Sequence, residues 1–347
     1  MNYKEIIESV LANGVSKQAT RYAADGSVIP VENGTIGTFC EIFRHDMAEG
    51  FPLTTLRKMP WKSIRVELEG FIKGITTKSW YQERGCKFWN EWANPHAVGL
   101  ALLEKENGEA LAAQLAVPIG GSEAKAKELY KKVQAETDDL GPVYGAQWRK
   151  FDQQYGKIDM EVDPNYPEGP DGQVEWMEIN RNGVDEGVDQ LKSIVEKLRS
   201  SPYDRRMVCS AWNPNQEHLM ALPSCHVLHQ VVVYGNKLNL TWFQRSVDST
   251  HGLPSNIASY GLLMMLYCEE SGLEPGELVG ILSDCHLYEN TLESARLMVE
   301  RSESPLPKLE ISRKSDGSFN IFDWTYDEVK LTGYDPHPAI DMGKVTV

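Results

Sequence analysis

Cys225, Arg245, Ser246 and Asn256 are residue types that do chemistry when they meet. A thiolate is a strong nucleophile, and a neighbouring cation lowers a thiol pKa and raises its thiolate fraction. Arginine offers a planar fork of N–H donors that matches a phosphate. A carboxamide donates and accepts side by side, as the amide edge of a flat heterocycle requires. Local structure has to bring these four together. His226–Tyr234 and Lys237–Arg245 are both β-rich, and Gly235-Asn236 between them signals a tight hairpin. With a two-residue loop, Tyr234 pairs with Lys237 and Cys225 falls opposite Ser246, one place from Arg245; a bulge shifts this register by one. Gly252-Leu253-Pro254 then turns the chain, and a helix beginning near Ser255-Asn256 sets Asn256 beside the hairpin end.

Each candidate also has a structural reading. A cysteine in isolation is more often a buried core residue than a nucleophile, and Arg245 is what raises Cys225 above that. His226 follows Cys225 directly, but successive strand residues point to opposite faces, which argues against a Cys–His dyad. The steps Cys225-His226 and Cys285-His286 invite a zinc site, yet neither has a Cys-x-x-Cys partner, so no metal is expected. Arg205-Arg206 reads either as a solvated basic step or as a phosphate clamp. Glu67 is either a surface carboxylate or, if partly buried, a group of raised pKa able to relay protons. Tryptophans such as Trp89 and Trp92 are usually core residues, and aromatic pairs also wall flat heterocycle sites.

The chain has 347 residues, 41% of them hydrophobic, which is enough to bury a substantial core. Its net charge of −15 argues against broad nucleic-acid binding, which needs a basic surface, and no nucleic-acid partner is expected. No apolar run approaches a membrane span, and the N-terminus lacks the apolar core of a secretory signal. Six scattered cysteines suit reduced thiols rather than a disulfide framework, and the expected location is cytoplasmic. Ile6, Ile7, Val10 and Leu11 define a first helix closed by Gly14, and Trp61–Ile75 reads as another. Tyr22–Gly37 reads as a long loop or hairpin region, and Asp163–Gly172 as a surface loop. Residues 94–139, Ala-rich and without a catalytic cluster, read as a small inserted helical subdomain within one catalytic domain spanning 1–347.

The ordered segments Leu140–Arg149, Asp204–Arg206, Ser210–Pro214 and Ala221–His226 resemble successive blocks of the thymidylate synthase family. So do Gln244–Asp248, Gly252–Tyr260, Asp284–Tyr288 and Gly333–Pro338, in family order and outside insertions at about 94–139 and 151–185. The resemblance implies an α/β (α+β) fold, with a large mixed sheet layered with helices, and an obligate sheet-to-sheet homodimer. It implies folate-dependent one-carbon transfer from 5,10-methylenetetrahydrofolate to carbon 5 of dUMP. Cys225 would attack carbon 6; Arg245 and Ser246 would hold the phosphate with Arg21; and Arg205 and Arg206 would reach the partner's site. Asn256 would read the uracil edge, where cytidylate enzymes have Asp, and His286 and Tyr288 would bind the sugar hydroxyl. Glu67 would organise proton transfer, Tyr144 would assist removal of the carbon 5 proton, and Asp248 would bind the pterin. Trp89, Leu222, His251, Gly252, Ser255 and Val347 would complete the folate side.

The departures from the family pattern cluster on that folate side. Ser255 stands where Phe is usual, His251 where an apolar residue is usual, and Glu69-Gly70 where an apolar residue and Trp are usual. Val345-Thr346-Val347 replaces a more hydrophobic tail. A wetter pocket would let water, rather than hydride, complete the reaction. Two products therefore stay open, thymidylate with dihydrofolate or 5-hydroxymethyl-dUMP with tetrahydrofolate, beside a regulator that kept the fold without the chemistry.

Overall fold

The computed structural model describes residues 1–18, 20–22, 28–30, 33–103, 123–153 and 187–343. The chain opens with α1 (Tyr3–Asn13), started by a capping box in which the Asn2 side chain accepts from the Glu5 amide and Glu5 accepts from the Asn2 amide. Ile6, Ile7 and Val10 are buried, as their spacing predicts, and Gly14 closes the helix. β1 (Val15–Lys17) follows, then the hairpin of β2 (Thr20–Tyr22) and β3 (Val28–Pro30), and then β4 (Thr35–Asp46). The expected loop or hairpin region thus contains a short hairpin and the start of a long strand.

α2 (Trp61–Lys73) ends two residues before the expected boundary, because Gly74 takes a left-handed φ of 71° and caps it. α3 (Lys78–Glu83), α4 (Pro95–Leu103) and α5 (Glu123–Glu136) come next. α4 and α5 meet through Val98 and Val133, a small apolar cluster separate from the main core. The buried ammonium of Lys78 ties α5 to the rest by donating to the carbonyls of Gln134 (2.9 Å) and Ala135. α6 (Tyr144–Lys150) and α7 (Gln190–Ser200) complete this half; the expected loop at 163–172 lies outside the described residues.

The remaining elements are β5 (Val208–Ser210), β6 (His226–Tyr234), β7 (Lys237–Asp248), α8 (Gly252–Ser271), β8 (Glu274–Tyr288), α9 (Leu292–Glu300), β9 (Lys308–Ile311) and β10 (Val329–Thr332). The main sheet runs β1-β4-β8-β7-β6-β5. Every pairing in it is antiparallel except β7 with β8, which needs a crossover, and α8 supplies it. The mixed sheet layered with helices is the expected architecture. Alternate residues of one face, including Val231, Leu240, Trp242 and Leu282, are buried, and Trp242 stacks on Tyr260 of α8 at 5.1 Å. On the other face Ile42, Ile281, Phe243 and Leu228 stand in register across four strands, with Ile42 and the nearby Phe39 exposed.

Candidate active site

A cleft opens where β6, β7 and β8 end, and two walls define it. Cys225, Ser246, Asp248, Asn256, His286 and Tyr288 line the sheet side, and Glu67, Phe71, Phe88, Trp89, Trp92 and Leu222 the other. Tyr144, His226, Gln244 and Gly252 lie between them.

The hairpin fixes the nucleophile. Tyr234 pairs with Lys237 as predicted, and that register holds to Leu228 and Phe243. An irregularity between His226 and Leu228 then shifts it by one, so His226 faces Gln244 and the Cys225 carbonyl accepts from the Arg245 amide at 2.9 Å. Arg245, rather than Ser246, is therefore opposite Cys225. Cys225 stands in the bend just before β6 rather than in the strand, so the alternation argument does not apply to it, and Cys225 and His226 both reach the cleft. His226 is nonetheless no base for the thiol. Its Nδ1 meets the Tyr260 hydroxyl at 2.8 Å, its ring stacks on Tyr144 at 4.0 Å, and burial together with His229 pushes its pKa down to about 3.

Burial also decides the state of Cys225. Its pKa is raised by desolvation, against the lowering effects of Arg245 and a Tyr144 hydrogen bond. Arg245 acts in the expected direction, but burial outweighs it. The guanidinium spends its donors on backbone, with Nε 3.0 Å from the Ser224 carbonyl oxygen and Nη2 3.1 Å from that of Pro223, and it lies over the Trp212 ring. It braces the turn that presents Cys225 while its charge is partly spent on two carbonyl dipoles. The Cys225 amide in turn donates to the Tyr144 hydroxyl at 2.8 Å, leaving that hydroxyl's own proton for another acceptor.

Asn256 is oriented by Gln244, whose Oε1 accepts from Asn256 Nδ2 at 3.1 Å and from Trp242 Nε1 at 3.3 Å. That leaves Asn256 one N–H and its carbonyl oxygen for a ligand. α8 starts at Gly252, three residues earlier than expected, so Pro254 lies in its first turn, where its missing N–H costs nothing. Asn256 accordingly projects from the second turn. His286 Nδ1 is held 3.1 Å from the Asp284 carbonyl oxygen, and its ring meets Tyr288 edge-on.

Glu67 is partly buried, as its helical position allowed. Desolvation pushes its carboxyl up to about 7, against a hydrogen bond from Trp89 Nε1 at 3.0 Å. A group with that pKa can give and take a proton near neutrality. Burial alone would raise Asp248 too, but donors from His251 and Thr250 reverse the effect and hold it at about 2.

The departures at Glu69 and Gly70 are absorbed by neighbours. Glu69 is buried, pairs with Lys73 and accepts from the Tyr326 amide at 3.0 Å. A Cβ at Gly70 would stand 2.3 Å from the Tyr81 ring, so Tyr81 occupies the volume a larger residue there would need.

Several expected residues lie off the cleft wall. Arg205 and Arg206 are exposed near the β5 edge, where the Arg205 carbonyl accepts from Gln230. His251 and Ser255 do not line the cleft; the Ser255 hydroxyl turns back to the His251 carbonyl at 3.5 Å. Arg21 is placed only by its backbone, opposite Ile29, and Val347 lies outside the described residues. Phe71, Phe88 and Gln244 are lining residues that sequence reasoning did not single out; Phe88 beside Trp89 was the available signal. Among the described residues no three His, Cys, Asp or Glu gather as a metal site, and no helix is long and apolar enough to cross a membrane.

A sequence model of the family described as thymidylate synthase matches residues 1–346. The chain belongs to the thymidylate synthase family. A thymidylate synthase of Mycoplasma pneumoniae is 36% identical over 318 residues, covering 90% of this chain and 91% of that protein. Family membership bears out the resemblance read from the ordered blocks and makes the cleft the place to look for this family's chemistry.

Proposed function

We propose that the protein transfers a one-carbon unit from 5,10-methylenetetrahydrofolate to carbon 5 of dUMP, yielding dTMP and dihydrofolate. The observation that carries this reading is the meeting of a nucleophile, a uracil-matched amide and a near-neutral carboxyl in one cleft: Cys225, Asn256 and Glu67. Cys225 adds to carbon 6 and makes carbon 5 nucleophilic, which divides one hard substitution into two easier steps. Because burial favours the protonated thiol, Cys225 gives its proton up to solvent as the bond to carbon 6 forms, and the negative charge this leaves on the ring carbonyl is met by a proton from Glu67. Asn256 donates to a ring carbonyl and accepts from the ring N–H. Glu67 passes protons to and from that carbonyl, and Tyr144 assists loss of the carbon 5 proton. The folate supplies first the methylene carbon and then the hydride.

Ser246 and Arg245 hold the phosphate in this reading, together with Arg21 and with Arg205 and Arg206 of the partner subunit; His286 and Tyr288 hold the sugar. The partly exposed apolar row Ile42, Ile281, Phe243 and Leu228 supports an obligate homodimer joined sheet to sheet. Asp248 receives the pterin, with Trp89, Leu222 and Gly252 beside it and Val347 closing over it. The pair α4–α5 is read as an inserted subdomain, and free cysteines support a reducing cytoplasm. No metal or nucleic acid is required. The methyl product is preferred over the hydroxymethyl one because the wall is aromatic and the two polar departures, His251 and Ser255, turn away from it.

Incubation with dUMP and methylenetetrahydrofolate tests the proposal. Dihydrofolate absorbance rising in step with dTMP is expected. A hydroxymethyl product without dihydrofolate, or nucleotide binding without turnover, overturns it.

A further inference from the structure

We propose that His251 is a positioning residue for the pterin end of the co-substrate, acting through Asp248; this rests on the functional reading above. The geometry is specific. Asp248 Oδ1 accepts three donors: the Thr250 amide at 2.9 Å, the Thr250 hydroxyl at 2.7 Å and the His251 amide at 3.0 Å. Asp248 Oδ2 accepts from His251 Nδ1 at 2.9 Å. A carboxylate has about four acceptor positions, two on each oxygen, and three donors crowd those of Oδ1. The acceptor capacity that remains is on Oδ2, and Asp248 lines the cleft while His251 does not. The imidazole therefore stands behind the carboxylate and leaves its second oxygen one free direction.

Two further observations separate this from simple helix capping. Backbone donors and Thr250 already satisfy the capping oxygen, so the His251 side chain adds nothing there. Its other nitrogen, Nε2, is buried without a hydrogen-bond partner. The polar contacts of the ring are therefore all made by Nδ1, to Asp248 Oδ2 at 2.9 Å and, more distantly, to the Thr250 hydroxyl at 3.3 Å. Desolvation works against the Asp248 anion, and His251 is the leading group that opposes it. A pterin presents adjacent N–H donors on its pyrimidine edge. An anionic oxygen with one open acceptor position takes one of them in a fixed direction, and that direction is set by the His251 bond.

The test compares the full-length protein with His251→Leu and His251→Asn, in steady state with each substrate varied. The amide nitrogen of Asn can stand where Nδ1 stands. His251→Leu is expected to raise KM for methylenetetrahydrofolate roughly tenfold, the scale of a hydrogen bond to a charged group, with kcat and KM for dUMP within about twofold. His251→Asn is expected to restore most of the folate KM. An unchanged folate KM in His251→Leu overturns the proposal. A parallel rise in both KM values with a fallen melting temperature also overturns it, since that marks a structural role, as does failure of Asn to rescue. If the functional reading itself is wrong, the parent protein does not turn over, which distinguishes the two failures.

Discussion

The two walls of the cleft are built on different principles. The sheet wall, with Cys225, Ser246 and Asp248, is carried by the ends of adjacent strands, and one hydrogen-bond ladder sets their spacing. The opposite wall, with Glu67, Phe88, Trp89 and Trp92, comes from α2 and the segment after α3, and side-chain packing holds it. The ladder dictates where a residue must be. Packing lets the wall exchange volumes, as Gly70 and Tyr81 do, without losing its shape. Covalent chemistry tolerates little displacement and sits on the ladder; recognition of a large flat co-substrate tolerates more and sits on the packing.

Substitutions on the sheet wall, including Asn256, which Gln244 of β7 orients, should therefore cost the most. Cys225→Ser is expected to lower kcat by at least ~10⁴-fold, because the weaker nucleophile cannot form the carbon 6 adduct. It should also abolish covalent trapping by 5-fluoro-dUMP under denaturing electrophoresis, and a persistent adduct would remove Cys225 from its role. Asn256→Asp is expected to lower kcat/KM for dUMP by roughly 10³-fold, since a carboxylate set against a ring carbonyl leaves buried polar groups mispaired. Competition between dUMP and dCMP measures it.

Glu67→Gln probes the other wall, with an expected kcat loss of about 10²-fold from lost proton transfer. The same substitution has a stability signature. The Glu67 carboxyl is raised to about 7 from its usual 4.5, so folding favours its protonated form. That stabilisation is complete below the ordinary carboxylate pKa and is lost as pH rises through 7. Glu67→Gln should thus gain on the parent as pH rises from 4.5 to 7 and hold that gain above it, by about 3 kcal/mol at pH 9 relative to pH 4, in denaturation curves across pH. Equal curves at pH 5 and 9 would show that Glu67 is not desolvated.

Gly70→Ala forces a methyl into the Tyr81 ring and is expected to cost about 2 kcal/mol in chemical denaturation, with kcat reduced less than threefold. Trp89→Phe keeps a ring but loses the donor to Glu67; a two- to fivefold rise in folate KM is the rough expectation. If the tryptophan change cost more than Asn256→Asp, the contrast between the two walls would fail.

The legibility of the site follows the same division. The Gly235-Asn236 turn and the strand period alone place Cys225 next to Arg245, and a bulge of one residue accounts for the remaining shift. Periodicity along α2 and the glutamate within it pointed to Glu67. Phe71, Phe88 and Gln244 were not legible as lining residues, because which face of a buried aromatic cluster borders a cavity is a property of several elements at once. The departures at His251 and Ser255 were visible as letters, but their directions were not. Read as openings for water, they turn out to point toward Asp248 and the helix backbone.

The sequence by itself determined the hairpin, the first helix with its closing Gly14, the family blocks and the residue types of the reaction, because these rest on local conformational preference and fixed periodicity. Tertiary structure decided the protonation of Cys225, Glu67 and Asp248 and the occupation of Arg245 by backbone carbonyls. It also decided the exchange of volume between Gly70 and Tyr81. Each of these depends on how much water and which distant groups surround a side chain, and the fold alone sets that.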